Sequence, residues 1–242
     1  TPSQARVIDP VLSTVAQGYK PQDLVSSFLF PTVNVGQRGG RIVSFGKDAF
    51  MLYKGERAPG ENTKRINIGH TSAPYALLDY SLEGRVPVEL LQEADAVPGI
   101  DMASVAINGV SNAMALALEY ASANLARNAA TYAASNKVTL SGTAQWSDYS
   151  GTSNPITAVE TAKEAIRAQT GRRPNTVVLG ALVMAKLKHH PAVVDRMKYT
   201  GRDVATVDLL ASLFDVERVV VGDAVYSNDA GDTNTDVWGK DV

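Results

Sequence analysis

The densest helical pattern in the chain runs from Met102 to about Ala134. Met102, Ala106, Val110, Ala113, Ala117 and Ala121 recur at helical spacing, while Asn108, Ser111, Asn112, Glu119 and Ser122 fall on the other side. This predicts one long amphipathic helix running through Gly109 and N-capped by Asp101. At 1.5 Å per residue such a helix is about 50 Å long, well beyond the usual globular helix. Its small residues suit close backbone approach, as in a structural rod.

Upstream the period changes. Pro2, Pro10, Pro21 and Pro31 break residues 1–35 into short apolar pieces, with one short helix expected over Val11 to Gln17. That region reads as an arm lying on other structure. Arg41 to Phe45 alternates polar and apolar, and Phe50 to Tyr53 is β-prone. A polar tip follows, with Lys54, Glu56, Arg57, Glu61, Lys64 and Arg65 around a Pro59-Gly60 turn, and then a return run from Ile66 to Val86. Two strands joined by such a tip make a long hairpin, which is marginal alone and must lie on a neighbour. Glu89 to Ala94 reads as a short helix closed by Pro98-Gly99.

Downstream, Val138 to Leu140 suggests a short strand and residues 142–154 a polar loop. Asn154 and Pro155 then open a helix, with Gly171 as its stop; Ile156, Val159, Ala162, Ala165 and Ile166 supply its apolar face. Thr176 to Leu179 and Val216 to Val221 read as core strands. Between them, helices are expected over Ala181 to His189, Ala192 to Tyr199 and Val204 to Phe214. Residues 155–222 therefore form a compact α/β unit, and the chain as a whole is α+β.

Composition narrows the function more by exclusion than by assignment. The 242 residues include no cysteine, which excludes disulfides, thiolate zinc sites and cysteine nucleophiles. No apolar run is long enough for a membrane helix and no signal segment opens the sequence, so a soluble chain is expected. The sequence begins at Thr1, and its last residues, Asp236 to Val242, read as a strand cut short; residues missing at one or both ends are expected. Net charge is −2, and the densest basic group, Lys163, Arg167, Arg172 and Arg173, reads as solvated surface. Specific nucleic-acid binding is not expected.

Candidate chemistry is sparse. His189 and His190 project about 100° apart on a helix and cannot share a metal; before Pro191 they suit end-of-helix cations. His70 lies in the return strand without a carboxylate at a recognisable spacing. Gly36 to Gly40 is glycine-rich but precedes a strand, so it lacks the helix N-terminus a phosphate cradle requires. Asn228, Asp229, Asp232, Asn234 and Asp236 depart from the calcium-loop order and read as a solvated hairpin turn. No catalytic, cofactor-binding or metal-binding residues are assigned, and no cofactor is expected.

The order of these elements resembles the major capsid proteins of tailed bacteriophages, the Hong Kong 97-type fold shared with encapsulins. Glu83-Gly84-Arg85-Val86-Pro87-Val88-Glu89 looks like that family's lead-in to its spine helix, and Arg172 to Leu179 like its helix-to-strand step. The resemblance implies an N-terminal arm over 1–35 and an extended β-hairpin loop over 36–85. It also implies a peripheral domain with the spine helix over 86–154, an axial domain over 155–222 and return strands over 223–242. Such a chain self-assembles into hexamers and pentamers of an icosahedral head that encloses double-stranded DNA without sequence-specific binding. Partners would be other copies, with scaffold and portal proteins, in the host cytoplasm during assembly and then in the virion. The loop tip, Glu56, Arg57, Glu61, Lys64 and Arg65, is expected to make intersubunit ion pairs. An encapsulin-like nanocompartment shell, a tail or adaptor protein, and an enzyme with an unrecognised site are the alternatives.

Overall fold

A computed structural model describes residues 24–46, 50–67, 69–95, 101–198, 205–227 and 233–239. The expected helix over Val11 to Gln17, the Pro98-Gly99 closure and Asn228, Asp229 and Asp232 lie outside the described residues. The chain divides into two units, Thr32–Ser81 and the remainder.

The smaller unit is a two-stranded ribbon. Strand β1 (Gly39–Phe45) pairs antiparallel with β2 (His70–Ala76), in register from Gly39 opposite Ala76 to Phe45 opposite His70. Gly40 leaves room for the Tyr75 ring, whose atoms lie 2.8–3.0 Å from where a Cβ would stand. A hydroxyl bond of 2.7 Å joins Ser44 to Thr71 across the strands, and Arg38 pairs with Asp79 at 2.6 Å. Pro59-Gly60 forms the expected turn: Glu61 N–H donates to the Ala58 carbonyl at 3.2 Å, and Gly60 takes φ 90°, a conformation open to glycine. Phe50 to Tyr53 does not form the expected strand; without a paired partner, β propensity alone fixes nothing.

In the larger unit, α1 (Ser26–Leu29) is followed after the ribbon by α2 (Val88–Asp95) and α3 (Met102–Arg127). Asp101 caps α3 as its sequence predicts, accepting from the amides of Ala103 at 3.0 Å and Ser104 at 3.3 Å and from the Ser104 hydroxyl. The helix passes Gly109 unbroken but stops earlier than expected, giving about 39 Å rather than 50 Å for its 26 residues. Asn128 stops it: its side chain accepts from Ala130 N–H at 3.0 Å and opens a 3-10 turn over Ala129–Thr131 instead. Val138 to Leu140 does not form the expected strand; Leu140 packs on the core.

The face of α3 that packs is not the alanine stripe. Ala106 and Val110 do sit against Gly84, where a Cβ would meet Val110 Cγ2 at 2.9 Å. Beyond them, Ala113, Ala117 and Ala121 are exposed, and the buried residues are Glu119, Ser122 and Ala123 from the polar side.

Helix α4 (Pro155–Thr170) begins with Asn154 accepting from Thr157 N–H at 3.3 Å and ends at Gly171 in the left-handed conformation, φ 67°. Strand β3 (Thr176–Gly180), helices α5 (Ala181–Leu187), α6 (Pro191–Met197) and α7 (Val207–Phe214), and strand β4 (Arg218–Gly222) complete a β-helix-β unit in which the two strands pair in parallel. Both faces of this pair are covered, as parallel strands require. Val177, Leu179, Val219 and Val221 face the larger core, with Trp146, Leu187, Leu210 and Phe214. Val178 and Val220 face a second core built on Val25, Ala123, Val237 and Trp238. A short hairpin, β5 (Val225–Ser227) with β6 (Asn234–Asp236), leads into Val237 and Trp238.

Candidate functional site

The most developed polar arrangement lies where α1, α3 and the segment after β6 meet. Glu119 is fully buried and accepts three hydrogen bonds. Its Oε1 takes Val25 N–H at 3.0 Å and the indole N–H of Trp238 at 2.6 Å; Oε2 takes Ser26 N–H at 2.8 Å. The carboxylate thus caps α1 from another helix, satisfying amides the short helix cannot satisfy itself. Charge-assisted bonds of this kind are about twice as strong as neutral ones. Two glycines shape the junction. A Cβ on Gly222 would lie inside the Trp238 indole, and Gly239, at φ 63°, passes close to the Arg127 guanidinium, which donates to the Val237 carbonyl at 3.1 Å. Tyr120 and Tyr226 meet edge to face beside it, centroids 5.0 Å apart.

Sequence reasoning missed this junction. Its signal was present: Glu119 and Arg127 are the two charged residues in the whole of α3, and both reach back to other segments.

Lys163 corrects another expectation. It continues the buried face of α4 after Ile156 and Val159, where Ala162 and Ile166 are exposed. Its ammonium donates to the carbonyls of Phe214 at 2.6 Å and Asp215 at 2.7 Å and to Asp215 Oδ2 at 3.1 Å, closing the C-terminus of α7. Lys163 therefore leaves the basic surface group. Arg167 is paired with Glu164, and Arg173 lies 3.8 Å from Asp215.

His190 is not an end-of-helix cation. Pro191 starts α6 rather than merely ending α5, and His190 is its N-cap, with Nδ1 accepting from Ala192 N–H at 3.2 Å. The ring is 2% exposed, stacks edge to face on Tyr149, and its Nε2 meets no hydrogen-bond partner among the described residues. Burial pushes its pKa below the ordinary 6.5, so the neutral ring is the folded form. On acidification the unfolded chain binds this proton first, so stability falls as pH drops through and below 6.5 and levels off under the folded pKa. Urea midpoints at pH 7.5 and 5.5 should show a larger acid loss for the parent than for His190→Asn, which keeps a cap acceptor without the titration. Equal losses would remove His190 from the account.

His189 is exposed at the end of α5, and His70 is exposed at the start of β2 opposite Phe45. Among the described residues no group of three or more His, Asp or Glu side chains is placed to hold a metal. At the loop tip, Glu56, Arg57, Glu61, Lys64 and Arg65 are all exposed. Arg57 donates to the Glu61 carbonyl at 3.2 Å and Lys64 to the Lys54 carbonyl at 3.4 Å. Among the described residues these five form no ion pair with one another.

Comparison with known proteins gives this arrangement its context. The chain is 37% identical, over 241 residues, to the major capsid protein of Burkholderia phage BcepMu, a match covering 99% of this chain and 76% of that protein. The chain belongs to the phage major capsid protein family. Residues 131–241 match the family described as phage major capsid protein E. The major capsid protein of Pseudomonas phage JBD67 is 29% identical over 230 residues, covering 90% of this chain and 69% of that one. A crystal structure of a phage-related protein from Bordetella bronchiseptica RB50 superposes with a TM-score of 0.75 at 45% identity, covering 98% of this chain and 76% of that one. This capsid protein is a structural component of the virion shell. In this shell subunit the buried Glu119 carboxylate fastens three chain segments together.

Proposed function

We propose that copies of this chain assemble into the hexamers and pentamers of an icosahedral phage head that encloses double-stranded DNA, with a non-enzymatic role throughout. The proposed subdivision is the Hong Kong 97 one: arm over 1–35, extended loop over 36–85, peripheral domain over 86–154, axial domain over 155–222 and return strands over 223–242. Assembly takes place in the host cytoplasm, with scaffold and portal proteins as further partners. With a net charge of −2, the wall holds DNA by enclosure rather than by attraction.

The observation that carries this reading is exposed apolar surface on two elements. On the ribbon, Ile42 is 60% exposed, Phe45 69% and Leu52 98%. On α3, Met114, Leu118 and Leu125 form an exposed row with Ala117 and Ala121. Contiguous apolar surface of this kind marks an interface. In a shell the ribbon of one copy and the rod of another cover such surfaces mutually, and each contact can be weak because many close together.

The exposed tip charges, Glu56, Arg57, Glu61, Lys64 and Arg65, fit ion pairs with a neighbouring copy. Reversing two of them, Arg57→Glu with Lys64→Glu, should abolish or strongly reduce closed shells seen by electron microscopy and sedimentation. The melting of the unassembled chain should stay unchanged, because exposed charges contribute little to a monomer. Shells at parental yield would exclude the tip from assembly.

A further inference from the structure

We infer that Glu119 couples the docking of the segment at Val25 to the docking of the segment at Trp238, so that neither is held at full strength without the other. The two segments lie more than two hundred residues apart in sequence, yet both donate to one oxygen: Val25 N–H and the Trp238 indole N–H converge on Glu119 Oε1, at 3.0 and 2.6 Å. The second oxygen is held by Ser26 N–H at 2.8 Å. Three donors from two segments fix one side-chain rotamer. Removing the indole frees the carboxylate to turn and weakens the two amide bonds that remain.

Packing reinforces the link, because Val25 and Trp238 belong to one small core with Ala123 and Val237 and gain burial from each other. Trp238 cannot drift to compensate, since its ring lies flush against the backbone of Gly222. The consequence is an ordering rule for the subunit: a chain whose segment at Trp238 is displaced also loosens the segment at Val25 and Ser26. This holds whatever geometry the shell adopts.

The test is reciprocal. Trp238→Phe keeps an aromatic ring and removes the N–H. In the full chain, exchange of the Val25 and Ser26 amides, followed by NMR, should quicken about tenfold, within the usual range of coupling between sites. Trp146→Phe is the control, because Trp146 lies in the other core and should leave those amides unchanged. In the opposite direction, Val25→Pro removes the N–H at a residue whose φ of −78° proline accepts, and the Trp238 indole N–H should exchange faster by a similar factor. In a Glu119→Gln background the effect of Trp238→Phe should shrink. Unchanged Val25 and Ser26 exchange in Trp238→Phe overturns the coupling, as does an equal acceleration in Trp146→Phe. Should Trp238→Phe fail to fold, the Val25→Pro measurement decides alone, and an unchanged indole exchange there sinks the idea.

Discussion

Glu119→Ala should lower the unfolding free energy by about 3–5 kcal/mol, the range seen when one partner of a buried charged arrangement is removed. Three donors lose their acceptor at once, two of them backbone amides at the start of α1, and each unsatisfied buried group costs about 1–3 kcal/mol. The sum is capped by relaxation of the short helix α1, whose first amides can shift partly toward water. Glu119→Gln should lose about half as much, because its oxygen still serves one side while its NH2 faces a donor. Urea unfolding of the full chain measures both, and an alanine variant within about 1 kcal/mol of the parent would show that the junction contributes little.

A loss of similar size, about 3–5 kcal/mol, is expected for Phe214→Ala. Phe214 is 1% exposed at the last turn of α7, among Leu179, Leu210 and Val219, so its removal leaves a cavity that rigid strands on one side cannot fill. The informative comparison is Ile166→Ala on α4. The sequence pattern places Ile166 on the packed face, but it is 38% exposed and should lose less than about 1.5 kcal/mol. Denaturant midpoints for the two variants should differ clearly, and near-equal losses would mean the core assigned around α7 is wrong.

The contrast between those two residues shows what sequence patterns can and cannot carry. Caps are local, and Asp101, Asn154, Pro155 and Gly171 are placed correctly because the groups they satisfy lie within a few residues. The strands Thr176–Gly180 and Arg218–Gly222 are legible as short continuous apolar runs, and the ribbon through its alternation and turn residues, because these signals are local too. Which side of α3 packs is not legible. A stripe of alanines carries little apolar area, and the partner that decides the matter, Val25, lies 94 positions away. The site fares similarly. The charged tip is visible as a cluster, whereas Glu119, Lys163 and His190 each acquire their role from a backbone group in another segment or from the start of the next helix. Pro191 illustrates the ambiguity: the residue that ends one helix pattern is also the best first residue of another.

The β3–β4 pair is a partition with a different tenant on each side, and this bears on how the sequence can drift. Adjacent residues such as Val177 and Val178 answer to separate neighbours, so a change at one need not constrain the other. Val178 and Trp238, distant along the chain, share a compartment and should vary together among relatives. The evolutionary grain of the subunit thus follows its two interiors rather than the order of its residues.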